Sequence, residues 1–122
     1  MKIFERDGAW NFVDANNAFV GFESEQSCCE HAGYILSRNA SFDASEESGV
    51  KDADAEPYSF DPRFFATCKG QEGLGEGGYA IFRLVADGLD PIYLKISNSH
   101  NGYYGHGFSF TVGGKVVKEG TL

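Results

Sequence analysis

Between residues 63 and 119 five strand-like segments follow one another with little between them but turns: RFFATCK, GYAIFRLVA, PIYLKIS, GFSFTV and KVVKE. No other feature constrains the fold as strongly. Ile92, Leu94 and Ile96 alternate with other residues, and so do Phe108 and Phe110, which is the period of a strand with one buried face. DGLDP between Ala86 and Ile92, and the Gly113-Gly114 pair, supply turns. Successive strands joined by links this short pair antiparallel, because a parallel pair needs a long crossover.

The start of the chain has the same character. AWNFVDANNAFVGFE splits into two apolar runs at DANN, a turn signal, and Ile3 and Phe4 offer a further short strand ahead of it. The helical signal is in SEQSCCEHAGYILS, where Ser27 followed by Glu30 makes a capping box. It predicts a helix from Cys28 to about Leu36, with Ser24 as an alternative cap one turn earlier. Gly33 costs such a helix about 1 kcal/mol relative to Ala, so packing must hold it. The fold expected is α+β: an antiparallel β meander of five to seven strands with one main helix, near 27–37, packed on one face.

The 122 residues fit one domain spanning 1–122, with eleven Phe, six Tyr and one Trp to fill its core. Residues 38–62 are acidic, rich in small side chains and aperiodic, which predicts a long surface loop, peripheral over 43–61.

The formal net charge is −8, and the ten basic residues are scattered. A nucleic-acid binder neutralises phosphates with clustered Lys and Arg, so DNA, RNA and anionic membranes are disfavoured as partners. MKIFERDG has no apolar core of signal-peptide length, and no apolar run approaches the ~20 residues of a membrane span. Three cysteines, two of them adjacent, do not make a disulfide framework and point to a reduced cytoplasm.

Chemistry-bearing residues concentrate in NSHNGYYGHGF, residues 98–108. Asn101-Gly102 is a strong hairpin signal. A three-residue loop at 100–102 would set Leu94 opposite Phe108 and Ile92 opposite Phe110, turning His106 inward beside Ile96 and leaving His100 exposed. His106 would then lie near residues 27–31 in its neutral form, since a buried imidazole needs partners. A thiol reading combines this segment with the expected helix start. There, backbone amides would stabilise a Cys28 or Cys29 thiolate, with His106 (or His100) as base and Asn98 orienting it. Small thiols packing a helix on a sheet would need no such chemistry.

Other motifs carry less. The cysteines and histidines lack the paired spacing of a zinc site, so no metal is expected. GLGEGG opens a strand rather than a helix and sits among Glu72 and Glu76, which would repel phosphate; it reads as a hairpin loop. DADAE lacks the Gly and Glu of a calcium loop. No cofactor is expected.

SCCEH and NSHNGYYGHGF together resemble segments of small uncharacterised bacterial and phage proteins, which carry a Cys-Cys-Glu segment and a later Asn-Ser-His-Asn-Gly-Tyr-Tyr segment. Ser27 stands where those proteins often have Asp, and Gly105 where they have Ser. The resemblance implies a phage-related origin and that the two segments belong to one design, adjacent in space. The function expected is a small acidic cytoplasmic binding or interaction domain, meeting a protein or small ligand through loops 38–62 and 69–78. Glu30, His31, His100, Asn101, Tyr103 and Tyr104 are the candidate contact residues. The alternative is a thiol-dependent hydrolase or transferase using Cys28 or Cys29 with a strand histidine.

Overall fold

The structure, a computed structural model, describes residues 1–26, 30–101 and 105–122. Among them are nine strands: β1 (Lys2–Arg6), β2 (Ala9–Val13), β3 (Ala18–Glu23), β4 (His31–Ser37), β5 (Ser59–Lys69), β6 (Gly78–Ala86), β7 (Leu89–Ser99), β8 (Gly107–Val112) and β9 (Lys115–Thr121). They form a five-stranded sheet ordered β1-β2-β3-β8-β9 and a four-stranded sheet ordered β4-β7-β6-β5, with every strand pair antiparallel. One 3-10 turn spans Asp52–Ala55.

Alternation along each strand builds the core. In the first sheet Phe12, Val20 and Phe110 form one inward rung, with Phe22 and Phe108 on the next. In the second, Leu36, Leu94 and Phe82 form a rung, followed by Tyr34, Ile96 and Ala80. The two inner faces share one apolar cluster. Phe82 meets Phe110 edge-on at 5.3 Å between ring centres, and Phe12 meets Tyr34 at 4.9 Å, the tilted geometry that aromatic quadrupoles favour.

The α+β expectation is therefore overturned: two antiparallel sheets face each other and no α-helix is present among the described residues. Of the segment expected to be helical from 27 to 37, residues 31–37 form β4 instead, paired with β7 from His31↔Ser99 to Ser37↔Tyr93, and residues 27–29 lie outside the described residues. The capping box described only a start. Residues 32–36, Ala-Gly-Tyr-Ile-Leu, place Tyr34 and Leu36 on the core face of a strand, a better use of those side chains than a glycine-weakened helix. Nine strands also exceed the five to seven expected.

The register predicted across residues 98–108 does not form either. Leu94 pairs with Leu36 and Phe82, while Phe108 pairs with Phe22 and Gly120, so β7 and β8 lie in different sheets. Parity fixes which way a side chain points and not which strand it pairs with. Both strands point their apolar sets at one core from opposite sides.

Residues 38–49 lie on the surface outside any strand, but the expected periphery of 43–61 does not hold throughout. Val50, Ala55, Tyr58 and Phe60 are each at most 6% exposed, and β5 begins at Ser59. The apolar residues of 38–62 are few, but these four are inserted into the core, while Phe42 stays on the outer face.

Two carboxylates lock this arrangement. Asp14 is buried at the end of β2. Its Oδ1 accepts hydrogen bonds from the Asn16 and Ala18 amides, both at 2.9 Å, and its Oδ2 accepts one from the Phe60 amide at 2.9 Å. One side chain thus ties the β2–β3 turn to β5 of the other sheet. Asp61, with a side chain 3% exposed, accepts from Arg63 at 3.0 Å and from Arg83 at 2.8 Å. The Arg63 guanidinium and amide, then Arg83, hold its carboxyl well below the usual range.

A carboxyl with a depressed folded pKa stabilises the fold above its unfolded pKa, about 3.9, and loses that contribution as pH falls through the folded value. The urea midpoint of the wild type should therefore fall below about pH 4 more steeply than that of Asp61→Asn. Parallel acid profiles of the two proteins would refute this.

Candidate functional site

Strand alternation sorts the residues at the start of β4. Glu30 is 4% exposed and turned inward, so His31, the first residue of β4, points to the outer face and is exposed. His106, just ahead of β8, is 3% exposed. Its Nδ1 lies 2.6 Å from the Glu23 carbonyl oxygen and its Nε2 lies 2.8 Å from Glu30 Oε2.

A carbonyl oxygen can only accept, so Nδ1 carries the hydrogen. The Nε2–carboxyl contact then holds one proton between its two partners. Either an imidazolium donates to a carboxylate, or a protonated Glu30 donates to a neutral imidazole; the pair is uncharged in sum both ways. The neutral His106 expected from the sequence corresponds to the second arrangement.

Leu122 completes this corner. The His106 and Leu122 backbones exchange two hydrogen bonds of 2.8 Å, and the Asn98 amide donates to the Leu122 main-chain oxygen at 3.1 Å. Glu30, Asn98 and His106 are thus brought together. Cys28, Cys29, Tyr103 and Tyr104 lie outside the described residues.

Asn101 is exposed. The His100 backbone donates to the Leu74 carbonyl at 3.3 Å and accepts from the Glu76 amide at 2.9 Å. The glycine-rich loop between β5 and β6 is therefore clamped onto the end of β7. Gly77 allows the approach: a Cβ there would sit 1.7 Å from the Asn98 carbonyl oxygen. Among the described residues, no three His, Cys, Asp or Glu side chains are placed to hold a metal ion.

One opening of the molecule lies on the outer face of the four-stranded sheet. His31 and Gly33 of β4 and Ser97 and Ser99 of β7 form the floor of a cleft of about 400 Å³. Phe42 and Leu74 stand among its walls, one from each of the loops expected to carry partner contacts. The Phe42 ring stacks on Tyr79 with centres 4.2 Å apart. Gly33 sits mid-strand, and a Cβ added to it would meet nothing within 4 Å.

One wall is pinned by a residue the sequence did not single out. Lys95 has a side chain 0% exposed. Its Nζ has three protons to share among four acceptors, Glu46 Oε1 at 2.6 Å, Ser41 O at 2.5 Å, Asn39 Oδ1 at 2.9 Å and Ser37 Oγ at 3.2 Å. Hydrogen bonds from Lys95, Ser37 and Asn39 outweigh partial burial and hold the Glu46 carboxyl below its ordinary range. Lys95 alternates with Leu94 and Ile96, so its outward direction was legible in PIYLKIS. That the polar loop SRNASFDASEE folds over it was not.

The chain matches no protein-family model, no curated protein and no solved structure.

Proposed function

We propose that this chain is a small binding module that holds a neutral or cationic ligand in the cleft over the four-stranded sheet. The observation that carries the reading is the convergence of the two loops on a strand glycine facing open space. A glycine inside a strand weakens it and often marks the close approach of a ligand. The cleft falls within the roughly 300–1,000 Å³ of small-molecule sites. Charge favours the ligand class. Asp43 is held ionised by hydrogen bonds from the Ser45 amide and hydroxyl, and Lys95 is already answered by Glu46, so a phosphate would meet net negative charge. Among the described candidate contact residues, His31 lines this cleft.

The bond between Glu30 and His106 supports the implication that the Cys-Cys-Glu and Asn-Gly-Tyr-Tyr segments belong to one design. A cytoplasmic location is proposed on cysteine usage; among the described residues no helix is long and apolar enough to cross a membrane. The thiol reading ranks second because both ring nitrogens of His106 are engaged, by Glu23 and Glu30. Iodoacetamide labelling well below pH 8, lost in His106→Phe, would move it to first place.

The test is ligand-observed NMR with a fragment set containing neutral, cationic and anionic compounds, run on wild type and Gly33→Leu. A Cβ at this position meets nothing within 4 Å and leucine would project into the cleft from its floor, so the fold and its melting temperature should survive while neutral and cationic binders are lost. Binders that persist in Gly33→Leu, or that are anionic only, would overturn the reading.

A further inference from the structure

We propose that Lys95 and Asn39 become joined by an isopeptide bond, formed by the chain itself, with Glu46 as proton carrier and ammonia as the leaving group. The four groups such a reaction needs are in contact around one point. Lys95 Nζ, the nucleophile, lies 2.9 Å from Asn39 Oδ1. The C=O bond is about 1.23 Å, so the Asn39 carboxamide carbon lies within about 4.1 Å of Nζ, close to the ~3–3.5 Å of a near-attack geometry. Glu46 touches both ends of the reaction: Oε1 is 2.6 Å from Nζ and Oε2 is 2.8 Å from Asn39 Nδ2, the leaving nitrogen. The Ser41 hydroxyl donates to Asn39 Oδ1 at 3.0 Å, where negative charge develops when the carbonyl is attacked. Ser37 donates to Glu46 Oε2 at 2.6 Å and fixes the carboxylate.

The step balances without any outside reactant. The Lys95 ammonium gives a proton to Glu46, and the amine lone pair then attacks the Asn39 carbon, forming the new C–N bond. Collapse of the tetrahedral intermediate breaks the bond to Nδ2. Of the three ammonium protons, one stays on the new amide nitrogen. The other two pass through Glu46 to the departing nitrogen, which leaves as ammonium, and Glu46 returns to carboxylate.

Burial and exposure are divided as the reaction requires. The Lys95 side chain is 0% exposed, which keeps water from the nucleophile, while Asn39 is exposed, which gives ammonia a way out. The reaction happens once per molecule and is irreversible once ammonia leaves. A resting ion pair between Lys95 and Glu46 therefore sets its rate and does not prevent it. The product is a covalent strap from β7 to the loop that walls the cleft.

Intact mass after denaturation tests this. Wild-type protein, incubated at neutral and mildly alkaline pH, should weigh less than its sequence by one ammonia. A tryptic digest should yield a branched peptide joining the segments that contain Asn39 and Lys95. Glu46→Gln, which keeps the shape but cannot carry the proton, and Lys95→Arg should both show the full mass.

Wild type at its full mass would overturn the proposal alone, however the variants fold. So would a mass loss that persists in Lys95→Arg, which would place it elsewhere, as in succinimide formation at Asn101-Gly102. Conversion of Asn39 to aspartate would overturn it too, by showing that water outcompetes the amine.

Discussion

Asp14→Ala is expected to destabilise the protein by about 3–5 kcal/mol, because one carboxylate serves three backbone amides. The bonds to Ala18 and Phe60 are buried. A hydrogen bond to a charged group contributes about 1.5–3 kcal/mol, and two buried donors left without an acceptor set the lower bound. The Asn16 amide is only partly buried and can turn to water. Asp14→Asn should lose less, about 2 kcal/mol, since one amide oxygen can still accept on one side while its NH₂ opposes a donor on the other. The measurement is the urea midpoint at constant slope. A loss below about 1 kcal/mol for Asp14→Ala would mean that water replaces the carboxylate, and that this corner is wetter than its geometry.

His106→Phe is the second large effect. An aromatic ring keeps the contact with Phe22, whose centre lies 5.9 Å from that of His106. The loss comes from Glu30. With a side chain 4% exposed, it would lose its imidazole contact in a place closed to water. Breaking a buried pair from one side costs about 3–5 kcal/mol, whereas replacing both partners by apolar groups is often neutral. The double variant His106→Phe, Glu30→Leu should therefore recover most of what His106→Phe loses. If the single variant lost nothing, or the double recovered nothing, the contact would not be the source of the effect.

Strands and turns in this chain are legible because their signals are local. DANN, DGLDP and Gly113-Gly114 mark turns where turns occur, and alternation gives the inward faces of β7 and β8. Features that depend on a distant partner were not legible. Ser27 and Glu30 spell a helix start, but Glu30 is used by His106, seventy-six positions away, and the residues after it are claimed by β7. His106 is buried as parity suggested, yet against Glu23 and Glu30 rather than in a ladder with Ile96. Residues 43–61 lack periodicity because isolated side chains such as Tyr58 and Phe60, rather than a continuous face, anchor them. The Lys95 hub was invisible for the same reason: its acceptors come from a loop whose path no local pattern records.

The pairing of β4 has a kinetic consequence. β1, β2 and β3 can zip as neighbouring hairpins, and so can β5, β6 and β7, each closing a short loop. β4 has no such neighbour. It pairs with β7 alone, with His31 opposite Ser99, and β3 must likewise wait for β8, with Ala18 opposite Val112. Loop closure over such spans must come before the contacts that reward it, which puts folding in the ~millisecond-to-second range of β-sandwiches. Until β7 arrives, the β4 segment is an apolar strand with nothing to pair with, and it is there that a nascent or refolding chain is most open to pairing with the wrong partner.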